Sequence, residues 1–224
     1  MKQLVYCYLA LLLLSCTENK EHEVIFRTKV IADNWEFSEE GKNEWYPATV
    51  PGSVHMDLFN NELIDDPFYE NNEHKQRWIE TKNWNYRNSF EVDSLNLSAQ
   101  RNNLLFKGLD TYAKVYLNNE HILTASNMFR SWEVPVQDLI ELGKNELRIE
   151  FESPIHHNKE AVKNYPYVLP SGNETADIKT KVSSFTRKAA CHFGWDFGPR
   201  FVTSGIWKAI YLEDWNYARI TDVF

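Results

Sequence analysis

Short runs of β-branched and aromatic residues recur along this chain, and turn residues separate them. Residues 83–92 alternate apolar with polar side chains, and residues 146–152 do so through Leu147, Ile149 and Phe151. Alternation with a period of two is typical of a strand with one buried face. The same criteria predict further strands at residues 24–31, 104–109, 111–117, 122–124, 132–136 and 205–212. Many short strands between turn signals predict an all-β fold, either a sandwich or a jelly roll.

Two segments interrupt this pattern. Val50-Pro51-Gly52-Ser53 predicts a turn, and Ser53 is a suitable N-cap for one short helix. Residues 154–187 are polar and contain Pro166 and Pro170, so we predict a long loop without regular structure. A loop of this length inside a compact domain is usually functional.

The N-terminus predicts export. Lys2 precedes an apolar run at residues 4–14, which has the length of a signal-peptide core and is too short to span a bilayer. The run ends in Leu13-Leu14-Ser15-Cys16, which resembles the lipobox of bacterial lipoproteins, so Cys16 is the predicted lipid-bearing residue. The alternative is an ordinary secretory signal with an incidental cysteine. We therefore expect an exported lipoprotein, periplasmic or at the cell surface, that touches a membrane only through this anchor.

The predicted domain organisation follows from these signals. Residues 1–16 are the signal peptide and residues 17–22 a polar tether. Residues 23–215 form the sandwich domain. Residues 216–224 begin a new β-like segment that stops at once, so we expect them to open a second β-sandwich domain that is truncated here.

Composition and charge narrow the function classes. With 224 residues, 43% hydrophobic and 14% aromatic, the chain has enough apolar side chains for a sizeable core. The net charge is −8, and the basic residues between 179 and 188, Lys188 among them, are interpreted as a solvated face. A nucleic-acid partner is therefore not expected.

Cysteine usage and motif spacing predict little chemistry. Once Cys7 and Cys16 are assigned to the signal and its cleavage site, Cys191 has no partner for an internal disulfide. We interpret Cys191 as a small buried residue, with a nucleophile beside His192 as the alternative. A phosphate loop, a zinc-ligand spacing and a nucleophile elbow are all missing from the sequence, so no metal or cofactor is expected.

The most informative segment is residues 192–200, with the sequence HFGWDFGPR. Three aromatic rings surround Asp196, while two glycines and a proline exclude regular structure. An aromatic ring packs well against the apolar C–H face of a sugar, and a carboxylate accepts hydrogen bonds from adjacent hydroxyls. The alternative is a corner of the core, in which Asp196 is satisfied by a helix end, a backbone amide or Arg200. The residues alone leave both interpretations open.

Several motifs together resemble the β-mannosidases of glycoside hydrolase family 2. They are WYPATVPGSVH at residues 45–55, DPFY at 66–69, GLDTYA at 108–113, NMFR at 127–130, KAACHFGWDFGPR at 188–200 and TSGIWK at 203–208. The first and the last are specific to the mannosidase branch, and the middle ones are shared more loosely within the family. The resemblance runs from about residue 35 to the end of the chain.

The resemblance implies both a fold and a site. It implies a galactose-binding-domain-like jelly-roll β-sandwich, followed by an immunoglobulin-like sandwich and a TIM barrel that carries two catalytic glutamates of the retaining mechanism. No catalytic residue is therefore expected within this chain. Trp195 and Asp196 are expected to bind the terminal mannose of β-mannoside oligosaccharides, and Phe197 stands where the family usually has tryptophan.

The implied function is the N-terminal portion of a lipid-anchored exo-β-mannosidase, which removes terminal β-linked mannose from non-reducing ends. Two alternatives stay open. One is a carbohydrate-binding lipoprotein without catalysis. The other is a different family 2 exo-glycosidase, such as a β-galactosidase, glucuronidase or glucosaminidase.

Overall fold

The computed structural model describes residues 26–174 and 181–221. Ten strands lie within these ranges, and each runs antiparallel to its neighbours. Their bounds are β1 Phe26–Val30, β2 Trp35–Glu39, β3 Tyr46–Ala48, β4 Trp84–Val92, β5 Arg101–Phe106, β6 Tyr112–Leu117, β7 Glu120–Ser126, β8 Trp132–Pro135, β9 Gly143–Glu152 and β10 Ile210–Trp215.

The strands form two sheets packed face to face. In the described residues, one sheet has four strands in the order β1-β10-β5-β8, and the other has six in the order β3-β2-β4-β9-β6-β7. The longest pairing joins β4 to β9, from Trp84 opposite Phe151 to Val92 opposite Gly143. Neighbours in each sheet are often distant in sequence, as in a jelly roll. The predicted all-β jelly-roll sandwich is confirmed.

The core lies between the two sheets. Along β4, the side chains of Trp84, Tyr86 and Phe90 are buried while Glu91 is exposed, because successive residues of a strand point to opposite faces. The facing sheet contributes fully buried side chains such as Phe106 to the same hydrophobic cluster. This burial is the main stabilising term of the fold.

Four α-helices and three 3-10 turns connect the strands in the described ranges. The helices are α1 Val54–Asn60, α2 Asn72–Lys75, α3 Ser94–Ser98 and α4 Pro154–Asn164, and the 3-10 turns are Arg77–Thr81, Ser183–Phe185 and Ala190–Phe193. The short helix predicted after Ser53 is confirmed as α1. Ser53 has the extended backbone of an N-cap, although its side chain makes no capping hydrogen bond.

The prediction of a structureless loop over residues 154–187 is wrong for its first part. This part folds into the 11-residue helix α4. Pro154 occupies its first turn, where a missing N–H costs nothing, and Ser153 Oγ accepts from the Ile155 and His156 amides. Residues 175–180 of the segment lie outside the described residues.

Three points of the strand prediction also need correction. The strand predicted at residues 104–109 lies at Arg101–Phe106. The last strand begins at Ile210 rather than at Gly205, since Gly205 forms only an isolated bridge to Asp110. The strands β2 and β3 are absent from the sequence-based prediction. The short β3 is an edge strand that contains Pro47, and proline is tolerated at an edge because the missing N–H faces away from the sheet.

The predictions for the N-terminus lie outside the described residues. These are the signal peptide, the tether and lipid-bearing Cys16. Residues 216–221 follow β10 without helix or strand, and a second domain stays a prediction. No helix in the described ranges is both long and apolar enough to cross a bilayer.

Candidate functional site

The aromatic loop at residues 192–200 is a tight turn on a buried base. Phe193 is fully buried in a small cluster with Val182 and Val202. Gly194 follows with φ +110°, a conformation that favours glycine. The backbones of Trp195 and Gly198 then exchange two hydrogen bonds, with N···O distances of 3.3 and 3.4 Å. Asp196 and Phe197 therefore lie at the tip of this turn.

The tip of the loop is open to solvent. Phe197 is 90% exposed and Trp195 is 41% exposed. Asp196 is exposed too, and within the described residues its carboxylate has no hydrogen bond or ion pair. An unpaired carboxylate beside an open aromatic ring is available to a ligand with hydroxyl donors.

Arg200 is engaged elsewhere, so it does not satisfy Asp196. Its guanidinium pairs with Glu80 at 2.9 Å and with Glu174 at 3.5 Å. It also donates to the carbonyl oxygen of Phe193 at 3.0 Å. Arg200 therefore fixes the base of the loop and leaves the tip free.

Two neighbouring depressions adjoin the loop. The first has a volume of about 510 Å³, and its lining is Cys191, His192, Trp195, Phe197, Gly198, Pro199, Phe201 and Thr203. The second has a volume of about 440 Å³ and includes Met56, Asp110, Phe129 and Trp207 in its lining. His192 and Thr203 line both depressions. A mostly apolar surface with a few polar groups is typical of a small-molecule site.

A buried polar network lies beneath these depressions. Lys188 Nζ forms an ion pair with Asp110 and donates to Thr203 O and Thr203 Oγ1, both at 3.0 Å. Thr203 Oγ1 lies 2.6 Å from Asp110 Oδ2 and 3.1 Å from His192 Nδ1. The network connects the strand β6 region to both ends of the aromatic loop.

The environment shifts several pKa values near the site. Burial, reinforced by the charge of Lys188, lowers the pKa of His192 to about 4. Burial also lowers the pKa of His55 to about 4, and the ring of His55 packs edge-on against Phe201 at 5.4 Å between centroids. Burial lowers the pKa of Lys188 as well, against the opposing effect of Asp110. Both histidines are thus neutral at neutral pH.

The structure brings Trp195 and Asp196 together at the tip of one exposed loop. The interpretation of Cys191 as a buried residue is wrong, because its thiol is free and exposed at the edge of the first depression. The interpretation of Lys188 as part of a solvated face is also wrong, since its side chain is fully buried against Asp110.

Asp110 and Thr203 were not predicted as site residues, and they lie 78 and 15 positions from Lys188. Their presence in the quoted motifs is the signal that points to them.

Comparison with known proteins defines the family. Residues 35–208 match the family described as glycosyl hydrolase 2 galactose-binding domain-like. The chain therefore belongs to this family of sandwich domains from family 2 glycoside hydrolases.

The chain is similar to several β-mannosidases. It is 36% identical over 202 residues to the β-mannosidase of Bos taurus, covering 87% of this chain and 23% of that protein. It is 35% identical over 204 residues to β-mannosidase B of Emericella nidulans, covering 89% and 24%. The crystal structure of β-D-mannosidase from Dictyoglomus thermophilum superimposes with a TM-score of 0.82 at 41% identity, covering 88% and 24%. The chain thus spans about a quarter of the length of the relatives it matches.

Proposed function

We propose that this chain is the N-terminal portion of a retaining exo-β-mannosidase, which hydrolyses terminal non-reducing β-D-mannose residues. Its similarity to β-mannosidases, at 35 to 41% identity, supports this proposal. Solved structures of other family 2 enzymes, such as the β-D-glucuronidase of Dictyoglomus thermophilum at 16% identity and a TM-score of 0.56, share only the fold. In this proposal the catalytic carboxylates belong to the rest of the protein, and this chain completes the sugar pocket.

The observation that carries the proposal is the geometry of the loop tip. Asp196 is exposed beside the half-open ring of Trp195, and the described residues leave its carboxylate unpaired. In the proposed complex, the Trp195 ring packs against the C–H face of the terminal mannose. Asp196 accepts hydrogen bonds from adjacent hydroxyls, each contributing roughly 1.5–3 kcal/mol because the acceptor is charged.

The rigid base of the loop is part of the proposed function. Arg200 holds the loop from below through Glu80 and Glu174. Binding groups fixed in advance lose less conformational entropy when the ligand arrives. A sugar that is oriented by Trp195 and Asp196 presents its glycosidic bond to the catalytic pair of the retaining mechanism.

The direct test is an assay of the full-length protein on β-linked nitrophenyl mannoside, galactoside, glucuronide and glucosaminide. We expect kcat/KM for the mannoside to exceed the others by roughly 100-fold or more, because sites that bond to hydroxyls reject epimers strongly. The 224-residue chain alone should match buffer. Preference for another glycoside would reassign the enzyme within its family. Sugar binding without hydrolysis by the full-length protein would identify a carbohydrate-binding lipoprotein.

We also propose that the protein is exported and anchored through lipid on Cys16. The support is the order of the N-terminal signals, an apolar core followed by Leu13-Leu14-Ser15-Cys16. An anchored exo-enzyme would act on oligosaccharides at the membrane surface that bears it. Two or more acyl chains are needed for stable anchoring, since one chain alone binds weakly.

A further inference from the structure

His192 occupies the boundary between the two depressions beside the aromatic loop. Its ring lines both of them, and Nδ1 lies 3.1 Å from Thr203 Oγ1. Within residues 26–174 and 181–221, Nε2 has no hydrogen-bond partner, and it is not among the fully buried polar atoms that lack one. Nε2 is therefore at least partly exposed, on a residue that lines both depressions.

The Thr203 hydroxyl determines which nitrogen of His192 carries the proton. The Asp110 carboxylate pairs with the Lys188 ammonium, and its Oδ2 is the acceptor in that pair. Thr203 Oγ1, at 2.6 Å from Asp110 Oδ2, must donate its one proton there. Lys188 Nζ donates to one lone pair of the same Oγ1 at 3.0 Å. The remaining lone pair faces His192 Nδ1, so Nδ1 is the donor.

A neutral imidazole that is protonated on Nδ1 has a bare lone pair on Nε2. His192 is neutral at neutral pH because burial and the nearby Lys188 charge lower its pKa to about 4. The network thus fixes the tautomer, holds the ring through Thr203, and leaves Nε2 as a hydrogen-bond acceptor. The rings of Trp195 and Phe197, which flank Asp196, line the same depression.

We infer that His192 is a further sugar-binding residue, which accepts a hydrogen bond at Nε2 from a hydroxyl of the bound β-mannoside. This inference rests on the proposed function and adds a second acceptor to the one supplied by Asp196. A polyol ligand suits the arrangement, because every hydroxyl can donate to a nitrogen or carboxylate acceptor. Thr203, Asp110 and Lys188 act as positioning residues, since they touch His192 or one another rather than the sugar.

Two substitutions separate binding from a merely structural role. In His192→Asn, the amide nitrogen takes the place of Nδ1 and can still donate to Thr203, but the acceptor at Nε2 is lost. In His192→Gln, the longer side chain reaches the place of Nε2 and can supply an acceptor, but the donor to Thr203 is lost. A binding role predicts that His192→Asn is the more damaging change to catalysis. A role confined to supporting Thr203 predicts the reverse order.

The experiment measures kcat/KM of the full-length protein and both variants on nitrophenyl β-mannoside and on its 2-, 3-, 4- and 6-deoxy analogues. We expect His192→Asn to lower kcat/KM on the parent substrate by about 5- to 100-fold, at an unchanged melting temperature. With the wild type, the analogue that lacks the hydroxyl bound by His192 should have a lower kcat/KM than the parent substrate. With His192→Asn, that analogue and the parent substrate should have equal kcat/KM, because the variant has already lost this hydrogen bond. His192→Gln should lie closer to the wild type.

The contrary outcomes are distinct. If the wild type is active and His192→Asn loses the same factor on all substrates, or nothing at all, His192 binds no hydroxyl and this inference is wrong. A larger loss of kcat/KM in His192→Gln than in His192→Asn would also show that the inference is wrong. If the wild type cleaves none of the β-mannosides, the proposed function fails first, and the substrate assigned to His192 fails with it.

Discussion

The Thr203 hydroxyl donates to the Asp110 carboxylate across 2.6 Å, although 93 positions separate the two residues in the chain. The backbones of Asp110 and Gly205 add reciprocal hydrogen bonds of 2.9 and 3.0 Å. These contacts join the start of β6 to the segment that follows the aromatic loop. The contacts at Asp110 therefore connect the segment after the aromatic loop to the sheet. A preorganised binding site requires such rigid attachment.

Loss of the Asp110 charge should destabilise the domain strongly. Asp110→Asn leaves the fully buried Lys188 ammonium without its counter-ion. Breaking a buried pair by removing one partner costs about 3–5 kcal/mol in the free energy of unfolding. Urea unfolding followed by tryptophan fluorescence measures this change.

The control is Glu36→Gln, which breaks a pair with Arg87 at 2.7 Å whose side chains are 44% and 41% exposed. An exposed pair contributes at most about 1 kcal/mol. Equal losses in Asp110→Asn and Glu36→Gln would show that the Asp110–Lys188 pair is not a structural support of the loop.

Acid should destabilise the fold partly through His55. Its pKa is about 4 in the folded protein against an ordinary value of 6.5. Between these values the unfolded chain binds a proton that the folded one does not, so stability is complete above about pH 6.5 and falls toward pH 4. The loss from this group is about 3 kcal/mol. The Asp57 carboxyl has the opposite effect on stability, because burial raises its pKa from 3.8 to about 6. Its contribution to the free energy of unfolding is complete below pH 3.8 and is lost as the pH rises to about 6.

The measurement compares the wild type with His55→Leu, in urea unfolding at intervals from pH 7 to pH 4. The variant keeps Asp57 and His192, so their contributions cancel in the difference. We expect the stability of the variant to decline less steeply by about 3 kcal/mol over this interval. Parallel curves for the two proteins would contradict the neutral, buried state of His55.

Lipidation should depend on Cys16 and not on Cys7. In a Gram-negative host fed labelled fatty acid, the wild type should be cleaved before Cys16 and take up label. Cys16→Ala should abolish the label and leave precursor or an unlipidated form. Cys7→Ala is the matched control, because Cys7 lies inside the signal core, and it should label normally. Label that persists in Cys16→Ala excludes the lipobox assignment.

The strands whose apolar and polar residues alternate clearly could be predicted from the sequence, and the others could not. Strand β4 was predictable because each buried residue from Trp84 onward is followed by a more exposed one. Strand β3 was not, because it has three residues and contains Pro47. Helix α4 begins with the N-cap Ser153 and with Pro154 in the first turn, which are helix-start signals. Its sequence is mostly polar, so the apolar stripe expected of an amphipathic helix is not evident. The secondary structure of such segments depends on how they pack against the rest of the sandwich.

The residues of the candidate site could be predicted only where they are contiguous in sequence. Residues 192–200 form one loop, so their aromatic and acidic character suggested a sugar site from the sequence, with a corner of the core as the alternative. The support beneath them joins Asp110 to Lys188 across 78 positions. Such pairings depend on how the sheets bring distant segments together. The burial of Lys188 was invisible for the same reason, since basic residues are usually solvated.

The proposed function requires above all that Asp196 binds the sugar in the complete enzyme. The direct measurement is kcat/KM on nitrophenyl β-mannoside for the full-length wild type and Asp196→Ala, with melting temperatures of both. Asp138→Ala is the control, because Asp138 is also an exposed aspartate but lies outside the aromatic loop. We predict that Asp196→Ala lowers kcat/KM by about one to four decades at an unchanged melting temperature, while Asp138→Ala changes neither. Near-normal kcat/KM for Asp196→Ala at low temperature would contradict the assignment of the loop to the sugar pocket.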